Sequence, residues 1–145
     1  MGHTYTSTLF HVVFSTKERR CAIKEPAKLW PYVAGTARKL GYEPLAIGGT
    51  ENHLHMLLRL PGHIAVAEAA QKLKANSSRW LGENGSWCGW QHGYGAFSVS
   101  PSNIDPVRRY IQNQPEHHRL HNFEEEFLAL LVRSGITFNK IEVFE

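Results

Sequence analysis

Two histidines separated by one residue, His53 and His55, are the side chains whose spacing best suits shared chemistry. They lie in the apolar segment 48–60, which reads GGTENHLHMLLRL. In a β-strand, residues i and i+2 project from the same face, about 6.6–6.8 Å apart along the backbone. The pair would therefore face one way, while Leu54 and Met56 point toward a core. Two imidazoles side by side on a rigid strand can chelate a divalent metal ion, although two unrelated strand histidines would show the same spacing.

A tyrosine and a glutamine, Tyr110 and Gln114, are four residues apart in a predicted helix and share one face of it. Their phenol and amide oxygens can then converge on one point. If that point is the face with His53 and His55, the site would suit Mg²⁺ or Mn²⁺, with positions left open for phosphate oxygens. The Tyr110 phenol would be a nucleophile toward a phosphate, whereas a hydrolase would activate water. The alternative for Tyr110 is a half-buried aromatic ring that packs its helix on the sheet.

Length and composition limit the class of protein. A chain of 145 residues predicts one domain, 1–145, and 42% hydrophobic with 20% charged residues is typical of a globular protein with a core. No apolar run is long enough to span a membrane, and we expect no secretion signal. Cys21 and Cys88 form neither a metal-type spacing nor a disulfide framework, so the expected compartment is a reducing cytoplasm. The net charge of +3 permits a nucleic-acid partner without requiring one.

The apolar pattern predicts strands and helices in the order β-α-β-β-α-β, followed by further helices. This order is that of the ferredoxin-like split βαβ arrangement, an α+β sandwich with an antiparallel sheet and, here, additional C-terminal helices. The histidines fall on the third strand, 52–60, and the tyrosine on a helix, 103–114. Because proline is tolerated only in a first helical turn, Pro31 suggests that the helix within 27–40 begins near Trp30. The other predicted elements are strands 8–16, 43–48 and 95–100, and helices 64–81 and 123–133.

Basic side chains occur in three groups that could contact a DNA backbone, although solvated charged surface explains such groups equally well. The loop 82–95 carries Trp87, Trp90 and Tyr94, which either pack over the edge of the core or stack on unpaired bases. The basic residues are Lys17, Arg19 and Arg20 after the first strand, Lys72, Lys74 and Arg79 on the second helix, and Arg108 and Arg109 beside Tyr110.

Five segments, in order along the chain, resemble the sequence blocks of one family. They are HVVFSTKERR, GGTENHLHMLL, LKANSSRWL, WQHGYGAFSVS and YIQNQPEHHRLHNFEEEFLALL. The family is the IS200-like transposases, and the closer likeness is to their REP-associated tyrosine transposase branch, within the HUH single-strand nucleases. Each segment alone is a modest match, but together and in register they are specific.

The resemblance implies a ferredoxin-like fold that dimerises, with His53 and His55 as metal ligands on the sheet. Tyr110 matches the family's nucleophilic tyrosine, and Gln114 matches the position that supplies a third ligand in related enzymes. The implied substrate is single-stranded DNA with imperfect hairpins near the cleavage site. Tyr110 would attack a phosphate, form a 5′-phosphotyrosine link and release a 3′-OH. In related dimers the tyrosine helix can complete the partner's site, so the sequence leaves open whether it acts within its own chain.

The chain departs from the family in one visible place, and two other functions compete with strand cleavage. Asn52 stands where many relatives have an acidic residue, which removes a charge near the metal but no ligand. His117 and His118 follow Pro115, which breaks the helix, so we expect them to support the ligands or the fold, with the alternative that one of them joins the site. No residue of the sequence stands out as the acceptor of the tyrosine proton. The competing functions are a retired transposase that binds hairpins, and a two-histidine phosphoesterase, which needs a second histidine strand motif that the sequence lacks.

Overall fold

The computed structural model describes residues 2–145, which form four strands and five α-helices in the order βαββαβααα. Among these residues, no helix combines the length and the apolarity that crossing a membrane requires. The strands are β1 (Leu9–Ser15), β2 (Glu43–Thr50), β3 (His53–Arg59) and β4 (Gly95–Ser98). The helices are α1 (Pro26–Lys39), α2 (Val66–Glu83), α3 (Ile104–Gln112), α4 (Gln114–His117) and α5 (Phe123–Arg133).

The four strands form one antiparallel sheet in the order β2-β3-β1-β4, which confirms the ferredoxin-like α+β sandwich predicted from the sequence. The two central strands are β1 and β3, whose pairing sets Val13 opposite His55 and Ser15 opposite His53. Directly opposed residues of an antiparallel pair project from the same face. His53 and His55 therefore stand in the middle of the sheet, where both neighbouring strands hold them.

One face of the sheet builds the main core with α1 and α2. Leu54 and Met56 of β3 are fully buried there against Leu29 and Val33 of α1 and Leu73 of α2. This is the face that the alternation of β3 predicted for its leucine and methionine. Burial of these side chains supplies most of the hydrophobic stabilisation that holds the sheet rigid.

The other face of the sheet, which carries the histidines, is covered by α3 and α5. Ile111 of α3 packs on Leu57 of β3, and Phe123 of α5 packs with Val13 of β1. Because both faces are covered, the histidine side chains are buried rather than open to solvent, and His53 is 0% exposed.

Two predictions that concerned prolines differ from the structure. Helix α1 begins at Pro26, so the expected start near Trp30 was wrong and Pro31 lies inside the helix. Both Pro31 and Ala27, four residues earlier, are exposed, so water can bond the carbonyl that the proline leaves without a donor. The single helix predicted at 103–114 is two helices, α3 and α4, because Pro115 has no N–H with which to continue the ladder.

Strand β2 and helix α3 lie in close contact at Gly48, and a substitution there tests this part of the fold. A Cβ added to Gly48 would overlap the backbone carbonyl oxygen of Ile111, and neither backbone can yield without separating α3 from the sheet. We expect Gly48→Ala to lower the free energy of unfolding by about 1–3 kcal/mol in urea denaturation followed by circular dichroism. Gly35→Ala is the matched control, because nothing lies within 4 Å of its added Cβ and alanine favours helix α1. A Gly48→Ala protein as stable as the unchanged chain would contradict this contact.

Candidate metal centre and tyrosine

The four residues predicted to act together do meet, within one chain, on the covered face of the sheet. His53 Nε2 lies 2.7 Å from Gln114 Oε1, and the other atom of that amide, Nε2, donates to Glu126 Oε2 at 2.7 Å. The Tyr110 hydroxyl donates to the same carboxylate oxygen. Glu126 also bonds His55, whose Nε2 is 2.9 Å from Oε1. A second copy of the chain is therefore not needed to bring the tyrosine to the histidines.

Local sequence explains why these side chains converge. The alternation of β3 aims both imidazoles at the face covered by α3, and fully buried Ile111 anchors that helix on the sheet. Tyr110 precedes Ile111 and Gln114 opens α4, so the helix break places the amide at a helix start directly above β3. The rigidity of the site thus comes from core packing on both sides of the sheet.

Glu126 of α5 is the residue at the centre of the site, and the sequence analysis missed it. Its carboxylate is only 4% exposed and divides its contacts between its two oxygens. Oε1 faces imidazoles, at 2.9 Å from His55 Nε2, 3.0 Å from His118 Nε2 and 3.6 Å from His53 Nε2. Oε2 accepts from Tyr110 and Gln114. The available signal was its place on the apolar face of α5, three residues after a buried phenylalanine, where a charge needs partners.

The donor set fits a cation. One ligand atom from each of four residues, His53, His55, His118 and Glu126, lies within 4.8 Å of the other three. Imidazole nitrogens and carboxylate oxygens bind divalent metals at about 2.0–2.2 Å, so donors on opposite sides of one ion lie about 4.0–4.4 Å apart, close to this limit. These four side chains could therefore hold one metal ion, with the Gln114 oxygen beside them.

The hydrogen bonds of His53 support the same conclusion. Its Nδ1 is 2.8 Å from Asn52 Oδ1, and its Nε2 is 2.7 Å from Gln114 Oε1. A neutral imidazole has one N–H, so one of these two short contacts joins two acceptors with no hydrogen between them. A cation bound at Nε2, with Nδ1–H donating to Asn52, removes that conflict and is the usual arrangement for a metal-binding histidine.

His11 of β1 is a second residue that the sequence analysis did not single out. Its Nε2 lies 2.7 Å from His55 Nδ1, and the two rings stack with centroids 5.0 Å apart. A partner on the far nitrogen fixes the orientation of a metal-binding imidazole. His11 and Val13 are two residues apart on β1, so their side chains project from the same face of the sheet, and Val13 lies opposite His55. This spacing is the signal that could have placed His11 beside the site.

Burial sets the protonation of the site. Desolvation lowers the pKa of His11 and of His53 to about 3, so both rings are neutral near pH 7. Burial alone would raise the pKa of Glu126, but hydrogen bonds from His118 and His55 outweigh it and hold that pKa well below its usual range. Burial, and then the bond to Glu126, raise the pKa of Tyr110. A protonated phenol thus lies against an ionised carboxylate.

The basic residues predicted to contact DNA divide into two groups. Three of them hold the fold: Arg19 Nε bonds Glu124 at 2.9 Å, Lys74 donates to two backbone carbonyls at 2.7 Å, and Arg108 donates to a β2 carbonyl at 3.2 Å. Arg109 is exposed and lines an open cleft beside Tyr110. The remaining exposed residues of the set are Lys17, Arg20, Lys72 and Arg79.

Comparison with known proteins finds relatives among family models and solved structures. The model described as "Transposase IS200 like" matches residues 4–114. A candidate transposase from Deinococcus radiodurans R1 has a crystal structure that is 23% identical, with a TM-score of 0.61 over 79% of this chain and 96% of that one. The structure of a REP-associated tyrosine transposase bound to a REP hairpin is 17% identical, with a TM-score of 0.60 over 81% and 74%. At these identities the two solved structures show only that the fold is shared. None of the curated proteins matches the chain significantly.

The neutral buried histidines predict how stability depends on pH. In the unfolded chain their pKa is about 6.5, so the unfolded state takes up protons first as the pH falls, and the folded state loses stability from pH 6.5 toward pH 3. Between pH 7 and pH 5 we expect urea denaturation to show a loss on the order of 3 kcal/mol. Glu126 does not contribute there, since its lowered pKa affects stability only below its ordinary value of 4.5. His11→Asn should remove about half of the dependence, whereas an unchanged slope would contradict the neutral buried state of His11.

Proposed function

Since the chain belongs to the IS200-like transposase family, we propose that it cleaves and rejoins single-stranded DNA through a covalent link between Tyr110 and a 5′-phosphate. The observation that carries this proposal is the contact between the Tyr110 hydroxyl and Glu126, whose second carboxylate oxygen bonds the histidines of β3. A nucleophile, a proton acceptor and a set of metal donors then share one carboxylate. A tyrosine that only packed α3 on the sheet would need an acceptor for its hydroxyl, but not one that also bonds two imidazoles.

The side chains account for each bond that changes in the reaction. The proton of Tyr110 passes to Glu126 Oε2 while the phenol oxygen attacks the phosphorus atom, so that no free phenolate has to form beside a carboxylate whose own pKa is lowered. As the bond from Tyr110 to phosphorus forms, the bond from phosphorus to the 3′ oxygen breaks. That oxygen takes a proton from water, and Glu126 gives the tyrosine proton up to water. The phosphotyrosine keeps the energy of the phosphodiester. Attack by a 3′-OH from a second strand end rejoins the DNA and returns the proton to the tyrosine.

Divalent metal would be held by His53, His55 and Glu126, with His118 and Gln114 completing the donors. When bound, the ion would neutralise negative charge on the phosphate oxygens. Three imidazoles with one carboxylate suit Mn²⁺ better than Mg²⁺, which prefers an all-oxygen set. Mn²⁺ is therefore the better candidate of the two ions considered.

The surroundings of Tyr110 suit a phosphate. A small cavity of about 150 Å³ opens beside its ring and is also lined by Glu126, His117 and Arg133. A guanidinium in this cavity can bond phosphate oxygens while the phenol attacks. The hairpin bound to the REP-associated relative supports a hairpin near the cleavage site as the partner. The homodimer that we expected would serve to bind two strand ends, since each chain has its own tyrosine.

The first test is Tyr110→Phe, which removes the nucleophilic oxygen and leaves the ring. We expect the covalent protein–DNA band on a denaturing gel, with single-stranded DNA from the flanks of the gene and Mn²⁺, to disappear. Hairpin binding in a native gel should stay within a few-fold. Tyr94→Phe, on an exposed loop, is the control. An adduct that persists in Tyr110→Phe would overturn the assignment, and a native shift without any adduct in the unchanged chain would favour the retired hairpin-binding protein.

The second test is Glu126→Gln, which keeps the shape of the side chain and removes its basicity. We expect adduct formation to slow by about 10²–10⁴-fold, the usual contribution of a general base. The residual rate should rise with pH, because hydroxide must now take the proton of a phenol whose pKa is raised. Glu83→Gln, exposed at the end of α2, should react like the unchanged chain. Cleavage by Glu126→Gln at the full rate would show that Tyr110 loses its proton elsewhere.

A further inference from the structure

A cleft of about 650 Å³ lies next to the candidate metal centre, and His121 lines both this cleft and the cavity at Tyr110. Its walls come from the start of α1, the β2–β3 turn and the segment that leads into α5. Two residues belong to both places: Asn52 bonds His53, and His118 bonds Glu126, while both line the cleft. Its volume lies within the range of about 300–1,000 Å³ that is usual for sites of small organic groups. A DNA strand with its phosphate at Tyr110 would therefore have a neighbouring nucleotide within reach of this cleft.

Trp30 is a partly exposed aromatic side chain of the cleft: part of its ring packs against the main core, and the side chain also lines the cleft. The indoles of Trp87 and Trp90 donate to serines of α2 and contact each other at 4.9 Å between centroids. Trp80 stacks on Tyr32 at 5.2 Å. Within residues 2–145 the ring of Trp30 pairs with no other aromatic ring and its N–H has no hydrogen-bond partner. Since no buried side-chain nitrogen there lacks a partner, that N–H is open to solvent.

The charge of the cleft distinguishes a base from a phosphate. Among residues 2–145, no lysine or arginine lines the cleft, whereas Glu51 is exposed there and would repel a phosphate. Pro26 and Phe123 add apolar walls. Polar groups come from the β2–β3 turn and from His118, His121 and Asn122. The Oδ1 of Asn122 caps α5, and its Nδ2 can bond the edge of a base. Proteins hold unpaired bases by combining an aromatic platform with polar groups that bond the base edges.

We propose that this cleft binds one unpaired nucleobase of the substrate strand, stacked on Trp30, beside the phosphate that Tyr110 attacks. The identity of the ligand as DNA rests on the proposed function, but the site itself depends only on Trp30 and the walls around it. The cleft thus makes a neighbouring base, and not only the hairpin, a determinant of where the strand is bound.

The two cysteines of the chain give a test that does not depend on cleavage. Cys21 is exposed and lines the cleft, whereas Cys88 lies in the loop after α2. The full chain with Mn²⁺ is alkylated with iodoacetamide, and mass spectrometry follows the rate at each cysteine. Oligothymidine is compared with an abasic strand of the same length, which has the same phosphates and no bases. The covalent band is measured on a denaturing gel in the same samples.

We expect oligothymidine to slow alkylation of Cys21 at least about fivefold, with little effect of the abasic strand and none of either strand at Cys88. Trp30→Ala should abolish the protection and weaken oligothymidine binding by about 5- to 150-fold, as loss of a stacking ring does. Trp30→Phe keeps a ring and should retain most of both effects, and an unchanged alkylation rate at Cys88 in Trp30→Ala without DNA would show that this variant is folded. Trp87→Phe, away from the cleft, should change neither.

Three results would overturn the proposed base-binding cleft: equal protection of Cys21 by the abasic strand, no protection of Cys21 at the highest oligothymidine concentration, or full protection of Cys21 in Trp30→Ala. Each applies whether or not the covalent band forms. Failure of the proposed function has a different signature, since Cys21 would be protected by oligothymidine while no covalent band appears with any strand.

Discussion

The carboxylate of Glu126 links the last helix to the centre of the sheet, and the arrangement of the site depends on it. One oxygen bonds His55 and His118, and the other accepts from Tyr110 and Gln114. Without this acceptor, buried donors from two helices and a strand would lose their partner, which costs far more than an exposed ion pair contributes. The same bonds that hold α5 on the sheet therefore orient the phenol and the imidazoles.

Covering both faces of the sheet has a consequence for the chemistry. Deep burial keeps His53 neutral, as metal binding requires, and keeps Tyr110 protonated until a base takes its proton. Because water is excluded from the site, the effective dielectric constant there is low, which also strengthens the hydrogen bond between the phenol and Glu126. Because the imidazoles of β3 are fully buried, substrate must enter beside the residues of the α4–α5 connection, where the cleft and the small cavity both open at His121.

Much of the fold followed from local patterns, because these act over a few residues. The alternation of β3 predicted which side chains face the core, and the order of strands and helices predicted the sheet. The spacing of Tyr110 and Gln114 predicted a shared face, although Pro115 divides their helix into two. Glu126 escaped prediction since its partners are distant in the sequence, with His55 lying 71 residues away. Arg19 and Lys74 show the same limit, because only the folded chain shows the carboxylate and carbonyls that bind them.

The central claim is that the paired imidazoles of β3 and Glu126 form one metal centre against Tyr110. Anomalous diffraction at the manganese edge, from crystals of the full chain grown with Mn²⁺, tests it most directly. We expect a single strong peak about 2.0–2.2 Å from the Nε2 atoms of His53 and His55 and from a Glu126 oxygen. A peak bound to other side chains, or a bound ion with the Tyr110 ring turned away from the centre, would contradict it.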